Sequence, residues 1–160
     1  MKTVPQQRVP PRAIRAWQWS AALGNSTLFL IPLVWALVYG MDDPVHIRVI
    51  LALSVVLFGF WLSGIFLFPF LKWKRWRYNI DRHEIDLQRG VLIHQRTLIP
   101  LSRVQHVDTR QGPLLRWYTL ASVTISTAAT THEIPALDEV VAEKVRDTIS
   151  TYARLAEEDV

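Results

Sequence analysis

The sequence has no cysteine, which excludes disulfides, Cys-ligated zinc, iron–sulfur clusters and thiol nucleophiles. Its five histidines, at positions 46, 83, 94, 106 and 132, are scattered, and neither an HExxH motif nor a His-x-His pair occurs. No metal site, no cofactor and no catalytic centre are therefore expected. Charge is missing over a long stretch as well. Between residues 16 and 71 only Asp42, Asp43 and Arg48 are charged. Acids are absent from two short segments, residues 1–16 with Lys2, Arg8, Arg12 and Arg15, and residues 72–77 with Lys72, Lys74, Arg75 and Arg77. Beyond residue 77 the balance reverses, with nine basic against twelve acidic side chains. The overall charge of +4 thus lies beside the apolar stretch, and the rest has no basic surplus for a phosphate backbone. No nucleic-acid partner is expected.

What is present is hydrophobic and unevenly placed. Half the residues are hydrophobic, and all six phenylalanines fall between Phe29 and Phe70. Two uncharged runs, Ala16 to Met41 and Val49 to Leu71, each exceed the ~20 residues that cross ~30 Å of hydrocarbon as a helix. The first run is too long for the ~7–15-residue apolar region of a signal peptide, and no small-x-small cleavage site follows it. The runs predict two transmembrane helices, at about 17–41 and 49–71. Cations bracket the pair on both flanks, whereas the linker from Met41 to Arg48 holds two acids and one base. The positive-inside rule then puts both termini in the cytoplasm and the linker outside, a multi-pass arrangement in a bacterial inner membrane. Trp17, Trp19, Trp73 and Trp76 fit an aromatic belt at the inner interface. Gly59, Ser63 and Gly64 are small enough to let a second helix approach.

After a basic juxtamembrane segment (72–77), residues 78–155 read as a cytoplasmic, mainly β domain, with an acidic tail at 156–160. Ile85 and Leu87 alternate with Glu84, Asp86 and Gln88, the period of a half-buried strand. Arg89-Gly90 reads as a tight hairpin turn into a strand from Val91 to Leu101, ended by Pro100. Val104 to Thr109 is a further strand, broken by Gln111-Gly112-Pro113. Leu114 to Tyr118 is short enough to be a helical turn. Alternation over Ala121 to Thr127 assigns Val123 and Ile125 to the core and Thr124 to the other face, and His132 to Pro135 closes the series. Leu137, Val141, Val145, Ile149 and Tyr152 then form one stripe of an amphipathic helix opposite Glu139, Glu143 and Arg146. Six or seven strands closed by a C-terminal α-helix make a small sandwich or barrel.

The run from Ile99 to Arg116, with Leu120 to Ala128, Tyr78-Asn-Ile-Asp81 and Arg89-Gly-Val-Leu92, resembles the bacterial PH-like domain of the YdbS-type, membrane-flanked family. The resemblance covers essentially the whole chain. It implies a two-helix transmembrane hairpin followed by a PH-like sandwich, with no catalytic residues. It also implies a protein partner, because such proteins often occur beside a larger membrane protein with repeated domains of the same type. One departure is Trp117-Tyr118-Thr119, where family members often carry a glycine.

The most specific signature is Arg103-Val-Gln-His-Val-Asp108 with Gln111, Gly112, Pro113 and Arg116. Its structural reading packs Val104 and Val107, uses Gln105, His106 and Asp108 to satisfy a neighbouring loop, and makes Gly112-Pro113 fix a turn that few backbone angles allow. Its functional reading is ligand contact. Ser102, His106 and Asp108 fall on one side of a single strand by alternation, but one strand cannot bring them into triad geometry. Lys72, Lys74, Arg75 and Arg77 are topology determinants and candidate contacts for anionic lipid, each contributing ~1 kcal/mol near the surface. The reading that unites these features is a membrane-anchored binding module rather than an enzyme. Its expected partners are the phospholipid bilayer and a membrane protein with related domains, or a second copy of itself; the alternative is a sensor of anionic lipid. Topology has a direct check. A phosphatase fused after Val160 should be inactive and a cytoplasmic fluorescent reporter active; the reverse pattern overturns the orientation.

Overall fold

The computed structural model describes residues 5–40 and 43–158. Lys2, Asp42 and the acidic side chains of the tail lie outside the described residues. The chain divides into two units, one of residues 17–70 and the other of residues 1–16 together with 71–160.

The first unit is helical. Helix α1 (Arg12–Ser26) passes through a 3-10 turn (Thr27–Phe29) into α2 (Leu30–Tyr39), and α3 covers Pro44–Arg75. Both spans, Arg12–Tyr39 with 28 residues and Pro44–Arg75 with 32, are long and apolar enough to cross a bilayer. The first begins five residues before its sequence-based limit and ends at Tyr39 rather than 41, while the second outruns its limits at both ends. The 3-10 turn precedes Pro32, whose missing N–H removes a helical hydrogen bond one turn back. Within this unit the Trp61 indole N–H donates to the Ala22 carbonyl at 3.4 Å, and Trp61 meets Phe29 edge-on at 6.2 Å. A Cβ on Gly64 would stand 2.6 Å from Asn25 Nδ2, so Gly64 is where a neighbouring side chain lies against α3. Gly59 faces open space, and Ser63 Oγ returns its proton to the Phe60 carbonyl.

The second unit holds two antiparallel sheets. The first has strand order β1 (Gln7–Arg8), β2 (Arg77–Ile80), β3 (Glu84–Arg89), β4 (Gln95–Pro100). The second orders β5 (Val104–Arg110), β6 (Leu120–Thr127) and β7 (Thr131–Asp138). A 3-10 turn at Leu101–Arg103 joins the sheets, and the short helix α4 (Pro113–Trp117) links β5 to β6. Helix α5 (Glu139–Glu158) packs on β5, β6, β7 and the 3-10 turn. The core gathers Ile85, Leu87, Ile99, Leu101, Leu120, Val123, Ile125, Ile134, Leu137 and Ile149. Two sheets and a C-terminal helix are the PH-like plan that the sequence implies.

Strand β1 is the feature that sequence reading does not supply. Gln7 pairs with Tyr78 and Arg8 with Arg77. Val9, Ala13 and Ala16 are buried, and the Trp73 indole N–H donates to the Val9 carbonyl at 2.8 Å. The segment before the first span and the segment after the second are thus neighbours in one ladder. Trp76 is 5% exposed and belongs to the packed interior rather than to an aromatic belt.

Other expectations shift for physical reasons. Strand β4 begins at Gln95 rather than Val91, because Gly90 takes φ +116° and opens a loop instead of a tight turn. A Cβ there would overlap the Ile93 carbonyl oxygen, so the loop is tightly folded. Strand β6 is buried on both faces: Ser122 and Thr124 are buried as well as Val123 and Ile125. The α5 stripe runs through Ala142, Val145 and Ile149, while Leu137 belongs to β7 and Val141 is exposed. The helix starts at Glu139, two residues after Leu137, and it is the Ala142–Val145–Ile149 side that packs on the sheets. On the opposite face of the first sheet from Ile85 and Leu87, the buried Asp86 carboxylate accepts from Arg96 Nε at 3.0 Å and Nη2 at 2.6 Å. A two-pronged bond of this kind neutralises a carboxylate that burial would otherwise penalise.

Thr119, after α4, sits in the left-handed region at φ 54°, which a β-branched residue rarely adopts. Its N–H donates to the Arg116 carbonyl and its carbonyl accepts from Glu139 N–H, both at 3.1 Å. These bonds hold the residue there against its preference. The strained angle is the physical reason a glycine suits this turn. Thr119→Gly should stabilise the protein by about 1 kcal/mol, the relief of strain exceeding the added chain entropy. Thermal melting of the detergent-solubilised full chain checks this, and a lower midpoint than wild type rejects it.

Candidate functional site: an open trough where the two sheets join

Where β4 passes through the 3-10 turn into β5, the chain borders an open trough of ≈ 640 Å³. One wall is Leu98, Ile99 and Pro100; another is Ser102, Arg103, Val104 and Gln105; the β6–β7 turn and His132 complete it. Strands β4 and β5 are each the last strand of their sheet, so each presents one backbone edge with no neighbouring strand. Register shifts between Val104 and His106, a bulge that leaves Gln105 outside the regular pairing with β6. The bulge directs Gln105 to the trough while Val104 is buried. His132 Nδ1 is enclosed with no hydrogen-bond partner among the described residues. Loss of surrounding water, and secondarily the charge of Arg89, holds this imidazole below its ordinary pKa and favours the neutral ring. Arginine, amide, hydroxyl and neutral imidazole side chains along an apolar floor can bind a polar or extended ligand.

The signature residues do not gather at one place. Arg103 and Gln105 line the trough, together with Ser102 from the 3-10 turn. His106 and Gln105 border a second groove of ≈ 310 Å³ against Ser150, Ala153 and Arg154 of α5. His106 Nε2 lies 3.6 Å from Asp108 Oδ1, both side chains being exposed. The expected shared face of Ser102, His106 and Asp108 fails, because Ser102 precedes the strand and the bulge shifts parity after it. Gln111 Nε2 donates to the Leu120 carbonyl at 3.0 Å and so closes the β5–α4–β6 connection. Gly112 has φ −80° and open space around its Cβ position, so the turn makes no special demand of it. Pro113 occupies the first turn of α4, where its absent N–H costs nothing, and Arg116 is exposed. His132 and the Thr127–Thr130 turn were not candidates in the sequence, since nothing local links them to residues about thirty positions earlier.

The juxtamembrane cations are placed by α3 and β2. Lys72, Lys74 and Arg75 form the last turn of α3; Lys74 is exposed, and Arg75 Nη1 stands 3.1 Å from His94 Nε2. Arg77 opposes Arg8 across the β1–β2 ladder, and the row continues through Gln88 to Arg96. Directly opposed residues share a face, so the register places two arginines side by side, where like charges repel. No carboxylate among the described residues pairs with either.

Residues 26–153 match the family model described as Bacterial PH domain. The chain belongs to that family. It is similar to UPF0699 transmembrane protein YdbS of Bacillus subtilis (strain 168), with 40% identity over 165 aligned residues and the full length of both chains covered. It is also similar to UPF0699 transmembrane protein YdbT of the same bacterium, with 22% identity over 124 residues, 75% of this chain and 24% of that one. No solved structure matches. As a transmembrane bacterial PH domain protein of YdbS type, the chain carries its trough and its basic row on the PH-like unit.

Proposed function

We propose that this bacterial PH domain protein is a membrane-anchored binding module, not an enzyme, which assembles with another membrane protein at the cytoplasmic face of the inner membrane. The observation that carries the reading is the trough where β4 turns into β5, each the last strand of its sheet. An extended segment of a partner laid there gains backbone hydrogen bonds from the unpaired edges and side-chain contacts from Arg103, Gln105 and His132. YdbT, a quarter of which is similar to this chain, is a larger transmembrane protein of the kind that the family resemblance implies as partner. The tagged full chain, solubilised in mild detergent, should co-purify with the YdbT-type protein of its own cell. Gln105→Arg with Arg103→Glu should lower that recovery several-fold without changing the melt. Recovery that ignores both substitutions rejects the trough as the docking site, and no recovery from the wild type rejects the partner.

A second reading, recognition of anionic lipid at the same membrane face, is favoured by the opposed Arg8 and Arg77. Placed at the headgroup layer, the pair is relieved by a lipid phosphate, which offers several acceptors to two guanidinium forks. In nanodiscs the wild type should melt higher with anionic than with zwitterionic lipid, and the gain should shrink with salt and in Arg8→Gln/Arg77→Gln. An equal gain in the double variant removes this reading.

A further inference from the structure

The loop between β3 and β4 displays two large aliphatic side chains to the outside. Leu92 is 90% exposed and Ile93 is 82% exposed. The display is built in. Gly90, at φ +116°, folds the loop back so tightly that no side chain fits at its position against the Ile93 carbonyl. Arg89 Nε donates to Gln95 Oε1 at 3.2 Å across the base of the loop. The tip is therefore held outward by its own backbone, with its two apolar residues facing away from the core.

The depth of this tip along the membrane normal follows from its tie to α3. The apolar run of α3 ends at Leu71, and Arg75 closes the helix. Four residues at 1.5 Å rise put Arg75 about 6 Å beyond the end of the apolar run, within the headgroup layer. Arg75 bonds His94 at 3.1 Å; since a guanidinium only donates, His94 Nε2 is the acceptor and the ring carries its proton on Nδ1. Leu92 and Ile93 stand two residues and one residue before His94, a reach of up to about 7 Å. That reach is enough to cover the ~6 Å from Arg75 back to the end of the apolar run. Lys74 and Arg77, beside this contact, supply the positive charge that an anionic leaflet attracts.

We propose that the β3–β4 loop is a lipid-inserting tip, in which Leu92 and Ile93 enter the acyl region beside the end of α3 while the Arg75–His94 bond fixes the loop at headgroup depth. It is a third attachment to the bilayer, separate from the two helices. The occupant is the bilayer, not a protein groove, because the loop is tied to the last turn of α3, a helix that leads directly out of the hydrocarbon.

The absence of cysteine gives a clean test. Leu92→Cys in the full chain creates a single thiol at an exposed position, so labelling touches no core contact. The variant, carrying an environment-sensitive fluorophore, is reconstituted as single copies into nanodiscs of mixed zwitterionic and anionic lipid without any other protein. Nitroxides on the acyl chains should quench the label several-fold more strongly than aqueous iodide, and Ile93→Glu should reverse that order. A label that iodide quenches more strongly in the parent variant overturns the proposal. A label shielded from both quenchers marks a loop covered by protein, and that outcome overturns it as well.

Discussion

The pairing of β1 with β2 is the constraint on which the arrangement depends. These two strands flank the whole apolar half of the chain, one just before α1 and the other just after α3. Backbone hydrogen bonds between them make the two flanks of the helix pair neighbours, the arrangement that a membrane hairpin with co-sided flanks would need. Charge asymmetry argues for the same co-sidedness by a separate route. The ladder is a statement of covalent reach and hydrogen bonding; the positive-inside rule concerns insertion. The Trp73 indole bond to Val9 and the burial of Val9, Ala13 and Ala16 make the closure more than a two-residue strand.

How much of this was legible depends on the length of the signal. The membrane helices are readable because a run of more than twenty uncharged residues is rarely tolerated outside lipid. The long strands β3, β5 and β6 are readable from alternation, and α5 from its periodicity. Strand β1 is not readable: two residues, one of them an arginine, carry no period. The two-sided burial of β6 is hidden because Ser122 and Thr124 look like solvent-facing positions. Ser122 Oγ instead accepts from the Ala136 N–H at 3.3 Å, where β7 bulges with Ala136 at φ 52°. Small hydroxyl side chains can be buried when a bulge supplies a backbone donor.

The trough was only half visible for a related reason. Arg103 and Gln105 stand out as part of a dense signature, but their role depends on the Gln105 bulge and on a turn contributed by Thr127–Thr130. Parity counting fails at a bulge, and contacts across sheets have no local trace in sequence. The juxtamembrane cations present the opposite case. Their abundance is plain from sequence, yet the ladder that sets Arg77 against Arg8 is not.

The closure of the ladder also sets an order of events during synthesis. Gln7 and Arg8 leave the ribosome about seventy residues before Arg77 and Tyr78. At ~5–20 residues per second, the first strand waits on the order of ten seconds for its partner. Both apolar segments pass the insertion machinery in that interval. The first sheet can therefore close on β1 only after both apolar segments have been made. A two-residue strand ending in arginine suits such a wait, since it is too short and too charged to pair with a stranger.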